Sequence, residues 1–284
     1  MKIEEINTIA VVGAGTMGAG IAQMSAMAGY KTFIFDINTD SLEKAKVIIS
    51  KNLEKGIEKR KVSEKQKEDC LDRVTLITDL EKLKADVIIE AVVEKLSVKI
   101  DLFSKLEEFN NIDTIFATNT SSIPITQIGA GLKHPERLVG MHFFNPAHIM
   151  KLVEIISGVA TDIQTALTVK ELAVKMGKRA VMAKDSPGFI VNRVARHFYV
   201  ESLKIAEEGV ADFKQIDKLV ESSGFKMGPF TLMDLIGVDT NFSVTKSMFE
   251  SFHYDPKFRP SRIQQQKVDA GHNGRKSGKG FYEY

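Results

Sequence analysis

The stretch TIAVVGAGTMGAGIAQ near the N-terminus constrains the fold more than any other part of the chain. Five β-favouring residues, 8–12, run into three glycines, Gly13, Gly15 and Gly18, and a helical pattern follows over 17–28. The first glycine of such a turn permits the sharp bend, and the second lets backbone N–H groups approach a pyrophosphate. The third allows the helix to pack closely on the strand. Thr16 and Met17 lie between the second and third, where unpaired N–H groups and the positive end of the helix dipole favour an anion. A glycine pattern alone is weak. Here the next strand ends in Asp36, about 20 residues further on, where a ribose-binding carboxylate belongs. Strand, turn, helix and acid in register predict a dinucleotide site built from Gly13, Gly15, Thr16, Met17, Gly18 and Asp36. A carboxylate accepts from a ribose 2′-hydroxyl and repels a 2′-phosphate, and no arginine follows it in DINTD. The residues favour NAD. NADP stays open because Lys44 and Lys46 are near enough in sequence to approach that end.

Seven further short runs continue the β pattern: 31–36, 73–78, 86–91, 114–119, 137–143, 151–156 and 179–183. Most are unbroken apolar runs, as expected of strands covered on both faces of a parallel sheet. Helical spacing fills the gaps, for example over 97–108 and 161–176. Such alternation predicts an α/β, doubly wound, mostly parallel sheet over 1–184. At Asp185 the pattern changes. KDSPGF opens with a cap-like Asp-Ser and a proline suited to the first helical position, and helical spacing continues to Gly209, a C-terminal stop. VADFKQIDKLVESSG and TLMDLIGVDTNFSVTKSMFESF also read as helical, so 185–284 is expected to be a separate all-helical domain.

The balance of 39 Lys+Arg against 37 Asp+Glu leaves no broad basic field for nucleic acid. No apolar run approaches the roughly 18 residues that span a bilayer, and MKIEEINT lacks the apolar core of a signal peptide. The single cysteine, Cys70, excludes an intramolecular disulfide and a cysteine-rich metal site. A chain active in the cytoplasm, without metal, membrane or nucleic-acid partner, is the simplest expectation.

Ligands in open α/β sheets bind beyond the carboxyl ends of the strands. Several strand ends offer polar residues there: Glu94 from AVVEKLSVK, Asn119, Ser121 and Ser122 from ATNTSS, and His142 and Asn145 from GMHFFN. Ser122, two residues before Pro124, also suits a helix cap. In MHFFNPAHIMKLVEI, a turn-like NPAHIM separates two strands, so doubling back sets His142 opposite Glu154. Cross-strand Cβ atoms lie about 4.5–5.5 Å apart, close enough for an imidazole–carboxylate hydrogen bond. A buried carboxylate there fixes the tautomer and stabilises the imidazolium, which makes a base and its orienter. A structural histidine is the plain alternative, and the neighbouring dinucleotide crevice tips the balance. His148, inside the turn, suits solvent or the substrate edge. Asn192, early in the first helix after the domain change, falls where interdomain clefts bind ligands. The lysine-rich segment 44–67 reads either as a solvated helical face, with Glu54–Lys51 and Glu58–Lys55 pairs, or as a contact for a polyphosphate substrate. The tail GRKSGKGFYEY is ambiguous too: Arg275, Lys276 and Lys279 suit a basic contact, whereas Phe281 and Tyr282 suit an anchor held by packing.

Taken together, GAGTMGAGIAQ, ATNTSSI, GMHFFNPAHIMKLVEI, DSPGFIVNRV and GRKSGKGFYEY resemble the L-3-hydroxyacyl-CoA dehydrogenases over essentially the whole chain. The resemblance implies a Rossmann-type first domain and a helical second domain that forms a homodimer. It implies oxidation of the (S)-3-hydroxyl of a short acyl-CoA to the 3-keto group, or the reverse. By position, His142 matches the family's catalytic histidine and Glu154 its partner. Ser121 and Asn192 match substrate-contacting polar residues, and Asp36, Glu94, Lys99 and Asn119 match cofactor-site positions. Two other readings stay open on the same scaffold: a dehydrogenase of a non-CoA hydroxy or sugar acid, and a non-catalytic dinucleotide-binding protein.

Overall fold

The computed structural model describes residues 1–284, which divide into two compact units, Met1–Ser186 and Pro187–Tyr284. The first unit runs β1 (Thr8–Val12), α1 (Thr16–Met27), β2 (Lys31–Phe35), α2 (Thr39–Glu58), α3 (Glu64–Asp72), β3 (Val74–Ile77) and β4 (Val87–Glu90). It continues with α4 (Leu96–Phe109), β5 (Ile115–Thr118), α5 (Ile125–Gly129), β6 (Leu138–Phe143), β7 (Leu152–Ser157), α6 (Ile163–Lys175) and β8 (Arg179–Lys184). All eight strands form one sheet in the order β3-β2-β1-β4-β5-β6-β7-β8. Neighbours are parallel except β6 and β7, which run antiparallel across the turn that joins them. The order 3-2-1-4-5-6 is that of a Rossmann-type sheet, whose strand order reverses beside β1. β1, β4 and β5 are buried along nearly their whole length, which is why their sequences are unbroken apolar runs rather than alternating ones.

Buried side chains, among them Ile9, Val11, Ile21, Ile34, Leu42, Ile49 and Leu53, fill the layer between the sheet and α1 and α2. In the lysine-rich segment, Glu54 takes Lys67 of α3 as its partner (2.9 Å) rather than Lys51 on its own helix, so the pair ties two helices together.

The second unit contains α7 (Val191–Glu207), α8 (Phe213–Ser222), α9 (Pro229–Ile236), α10 (Val238–Ser251) and α11 (Arg262–Asp269). α7 begins later than its Asp-Ser-Pro opening predicts. Gly188 and Phe189 take left-handed backbone angles (φ 72° and 49°), which no right-handed helix accommodates, and the Asp185 carboxylate accepts from the Thr126 N–H instead of capping. Gly209 does stop the helix, at φ 71°. The long run expected over 231–252 is two helices, the first starting two residues earlier at Pro229, with the break at Gly237 (φ 105°). Phe213, Phe230 and Phe281 pack edge-on and tilted at 4.6–5.1 Å between centroids, so the C-terminal residues close this unit's core. No helix of either unit is long and apolar enough to cross a membrane.

Candidate active site

At the glycine turn the protein itself accounts for two of the three glycines. A Cβ on Gly13 would stand 2.6 Å from the Ala91 carbonyl oxygen, at a φ of 105°, and one on Gly18 would stand 1.7 Å from the Gly13 carbonyl oxygen. A Cβ on Gly15 meets nothing within 4 Å. Space is left there for something the polypeptide does not supply. Gly15 and Thr16 are exposed, Met17 is half-buried, and no side chain caps α1, so its first-turn N–H groups point at that space.

Beside the turn lies a pocket of about 450 Å³ whose lining includes Gly13, Gly15, Asp36, Ile37, Val93 and Val98. Ile37 and Val93 are 90% and 67% exposed, apolar residues held open to solvent on the pocket wall, as a flat aromatic base would require. The Asp36 carboxylate accepts from the N–H groups of Ala14 (2.8 Å) and Asn38 (2.9 Å), one per oxygen, which fixes it at the pocket edge with lone pairs left for ribose hydroxyls. No lysine or arginine lines this pocket, so nothing there would neutralise a 2′-phosphate. The donor set fits a nicotinamide dinucleotide without that phosphate.

The ends of β4, β5 and β6 build the rest. Glu90, wholly buried at the end of β4, accepts from Lys99 Nζ (2.6 Å), the Val92 N–H (2.7 Å) and the Thr118 hydroxyl (2.6 Å). Lys99 also reaches Glu94 (3.2 Å). One oxygen of Glu94 then gathers the loop after β5: the Thr120 hydroxyl (2.6 Å), the N–H groups of Ser121 (2.9 Å) and Ser122 (3.2 Å), and both serine hydroxyls at 3.4 and 3.0 Å. Burial alone would raise the Glu94 pKa, but the Lys99 charge and the donors from Thr120 and Ser121 outweigh it and hold it below the ordinary carboxylate value. The Ser122 hydroxyl is thus committed to Glu94, and α5 begins after Pro124 without a side-chain cap. Lys99 is 1% exposed, so its ammonium acts on Glu90 and Glu94 from beneath the surface. Asn119 accepts from the Phe143 N–H through its side-chain oxygen (2.8 Å), joining the β5 loop to the end of β6.

His142 and Glu154 stand opposite each other in the β6–β7 register, with Nδ1 and Oε2 2.8 Å apart. Both are buried, and the Phe144 ring lies 4.5 Å from the imidazole centroid to centroid. Asn145 is exposed just past β6 and joined to Pro146 by a cis peptide bond. His148 is half-buried, with Nδ1 3.4 Å from the Asn52 side-chain nitrogen of α2. Asn192 occupies the first turn of α7, in the second unit. The first unit therefore brings together His142 with Glu154, Glu94 with Ser121 and Lys99, and Asp36 with the glycine turn. Glu90, Thr118, Thr120 and Phe144 belong to this constellation and carry no signal of their own in the sequence.

Comparison with known proteins gives the same picture a lineage. The profile of the 3-hydroxyacyl-CoA dehydrogenase NAD-binding domain matches residues 8–186, and that of the C-terminal domain of the same family matches 188–284. A probable 3-hydroxybutyryl-CoA dehydrogenase of Bacillus subtilis is 42% identical over 99% of this chain and 98% of its own length. A 3-hydroxyadipyl-CoA dehydrogenase of Escherichia coli is 45% identical over 98% of this chain, which spans only 59% of that longer protein. The crystal structure of (S)-3-hydroxybutyryl-CoA dehydrogenase from Ralstonia eutropha superposes with a TM-score of 0.95 at 37% identity, covering 99% of each chain. With both domains matched in order and relatives aligned end to end, the chain belongs to the 3-hydroxyacyl-CoA dehydrogenase family, an NAD-dependent oxidoreductase whose first unit is the NAD-binding domain.

Proposed function

We propose that the chain interconverts (S)-3-hydroxybutyryl-CoA and acetoacetyl-CoA, with His142 as the general base and acid. The observation that carries this reading is the buried His142–Glu154 pair at the carboxyl end of β6, on the same sheet as the glycine turn and Asp36. NAD, when bound, supplies the hydride acceptor in one direction and, as NADH, the donor in the other. With Nδ1 engaged by Glu154, His142 exchanges the substrate proton through Nε2: it removes the 3-hydroxyl proton in oxidation and returns it to the carbonyl oxygen in reduction. Glu154 keeps the imidazole in that tautomer and stabilises its charged form. Ser121, whose hydroxyl makes only a long 3.4 Å contact to Glu94, turns to the oxygen on C3. Asn192, by its match to the family motif, and Asn145, by its place just past the end of β6, complete the proposed substrate-contacting set.

The cytoplasm is the compartment proposed for this chemistry, and the second unit is proposed to carry a homodimer contact, which light scattering after size exclusion would read as twice the chain mass. The deciding experiment is the initial rate of acetoacetyl-CoA reduction with NADH and NADPH in parallel. Turnover with NADH is expected, and a preference for NADPH would overturn the role given to Asp36. No turnover with either, in protein that binds NADH, would favour a non-CoA hydroxy acid or a binding protein.

A further inference from the structure

Residues 144–151, the turn between β6 and β7, form no strand pairs, yet Ala147 within it is buried. Lys178 lies between α6 and β8 at 6% exposure. Its Nζ stands 2.5 Å from the Ala147 carbonyl oxygen and 2.9 Å from that of Met150. Its partners are two carbonyls of that turn and no carboxylate, and burial pulls the ammonium down to about 8. A buried ammonium without a counter-charge costs stability, so an apolar side chain would be the more stable occupant unless the carbonyls need their donor.

The same turn rests on two helices. Ala147 packs so close to Gly20 of α1 that a Cβ there would come within 3.0 Å of its own. Asn52 of α2 donates to Gln23 of α1 (3.1 Å) and faces His148. Burial first, then the charges of Lys178 and Lys55, lower the His148 pKa, so its imidazole is neutral at pH 7 and Nδ1 accepts from Asn52.

We propose that Lys178 is a positioning residue for the His142–Glu154 pair, an inference that rests on His142 being the base. By gripping the Ala147 and Met150 carbonyls it holds the turn whose two arms present histidine to acid, and it seats that turn on α1, the helix that opens at the glycine loop. A misplacement of about 1 Å in a catalytic group costs about 10²-fold in rate, so the grip is felt in turnover before it is felt in binding.

The test compares Lys178→Met and Lys178→Arg with His142→Ala, each in the full chain. The readouts are kcat and KM for acetoacetyl-CoA, NADH binding by fluorescence, and the side-chain ¹⁵N signals of His142. Lys178→Met is expected to lower kcat by about 10-fold or more, leave NADH affinity nearly unchanged and shift the His142 Nδ1 signal. Lys178→Arg, which keeps a charged donor, recovers most of kcat. A Lys178→Met kcat that falls only with the folded fraction, with His142 signals unmoved, overturns the proposal. Should Lys178→Met fail to fold, Lys178→Gln, with one amide donor, replaces it: a reduced kcat with moved His142 signals supports the role, and unmoved signals overturn it. If His142→Ala itself keeps turnover, it is the base assignment that fails. Loss in His142→Ala beside wild-type kcat and signals in Lys178→Met overturns the positioning role alone.

Discussion

Glu154 offers its carboxylate to one imidazole from inside the sheet, where water does not screen the contact. Removing the base by His142→Ala should lower kcat by about 10²–10⁴-fold with NADH still bound. Glu154→Gln keeps the volume but withdraws the charge that stabilises the imidazolium. Its expected signature is a large fall in kcat together with a displaced pH–rate profile, and an unchanged profile would count against the coupling. Lys99 makes a second kind of prediction. Lys99→Met strands the wholly buried Glu90 carboxylate, a loss of about 3–5 kcal/mol by the usual cost of breaking a buried pair, measurable by urea unfolding. Because Glu94 releases its proton more readily folded than unfolded, its contribution to stability is intact above pH 4.5 and fades as the pH falls below it. In Lys99→Met that acid-side loss should be smaller, since its largest favourable cause, the Lys99 charge, is gone.

At the scale of elements, the central strands β1, β4 and β5 are legible in the sequence because burial on both faces writes a continuous apolar run, while the edge strands β3 and β8, only partly buried, are marked by short β-favouring runs between helical stretches. The opposition of His142 and Glu154 is legible too, since a strand, a short turn and a strand leave few other pairings. The start of α7 is not: Asp185, Ser186 and Pro187 have the chemistry of a cap, and only the backbone angles of Gly188 and Phe189 reveal a turn in its place. Glu90 and Thr118 are single polar residues ending apolar strands, and Lys178 finds its partners 28 and 31 residues away, so no local pattern marks them. The glycine turn separates two effects that sequence alone merges. Gly15→Ala should fold normally and lose NAD affinity, since its Cβ enters only the ligand's space. Gly13→Ala should lose stability as well, being strained in φ and driven into the Ala91 carbonyl. Calorimetric Tm beside NADH titration distinguishes them, and a Gly15→Ala protein that binds NADH as tightly as wild type would refute the placement.

Across the whole molecule, each unit is closed by its own long-range ties. In the second, the buried Asp234 carboxylate accepts from the N–H groups of Phe281 and Tyr282 (2.9 Å each) and from the Tyr284 hydroxyl (3.1 Å), while Tyr282 donates its hydroxyl to Asp217 (2.9 Å). The tail that reads in the sequence as either a basic contact or an anchor is anchored by these bonds. Asp234→Asn replaces one of these acceptor oxygens with an amide donor facing donors and should speed hydrogen exchange across 187–284 while leaving the amides of β1, β4 and β5 protected. Uniform loss of protection in both units would refute that confinement. The β6–β7 hairpin has a further consequence, for descent rather than for stability. Base and orienting acid are 12 residues apart on one hairpin, on the sheet that carries the dinucleotide turn. Redox partner and proton acceptor are therefore inherited as a single block, and a lineage can exchange the rest of its substrate pocket, and with it the molecule it oxidises, without having to reinvent the reaction.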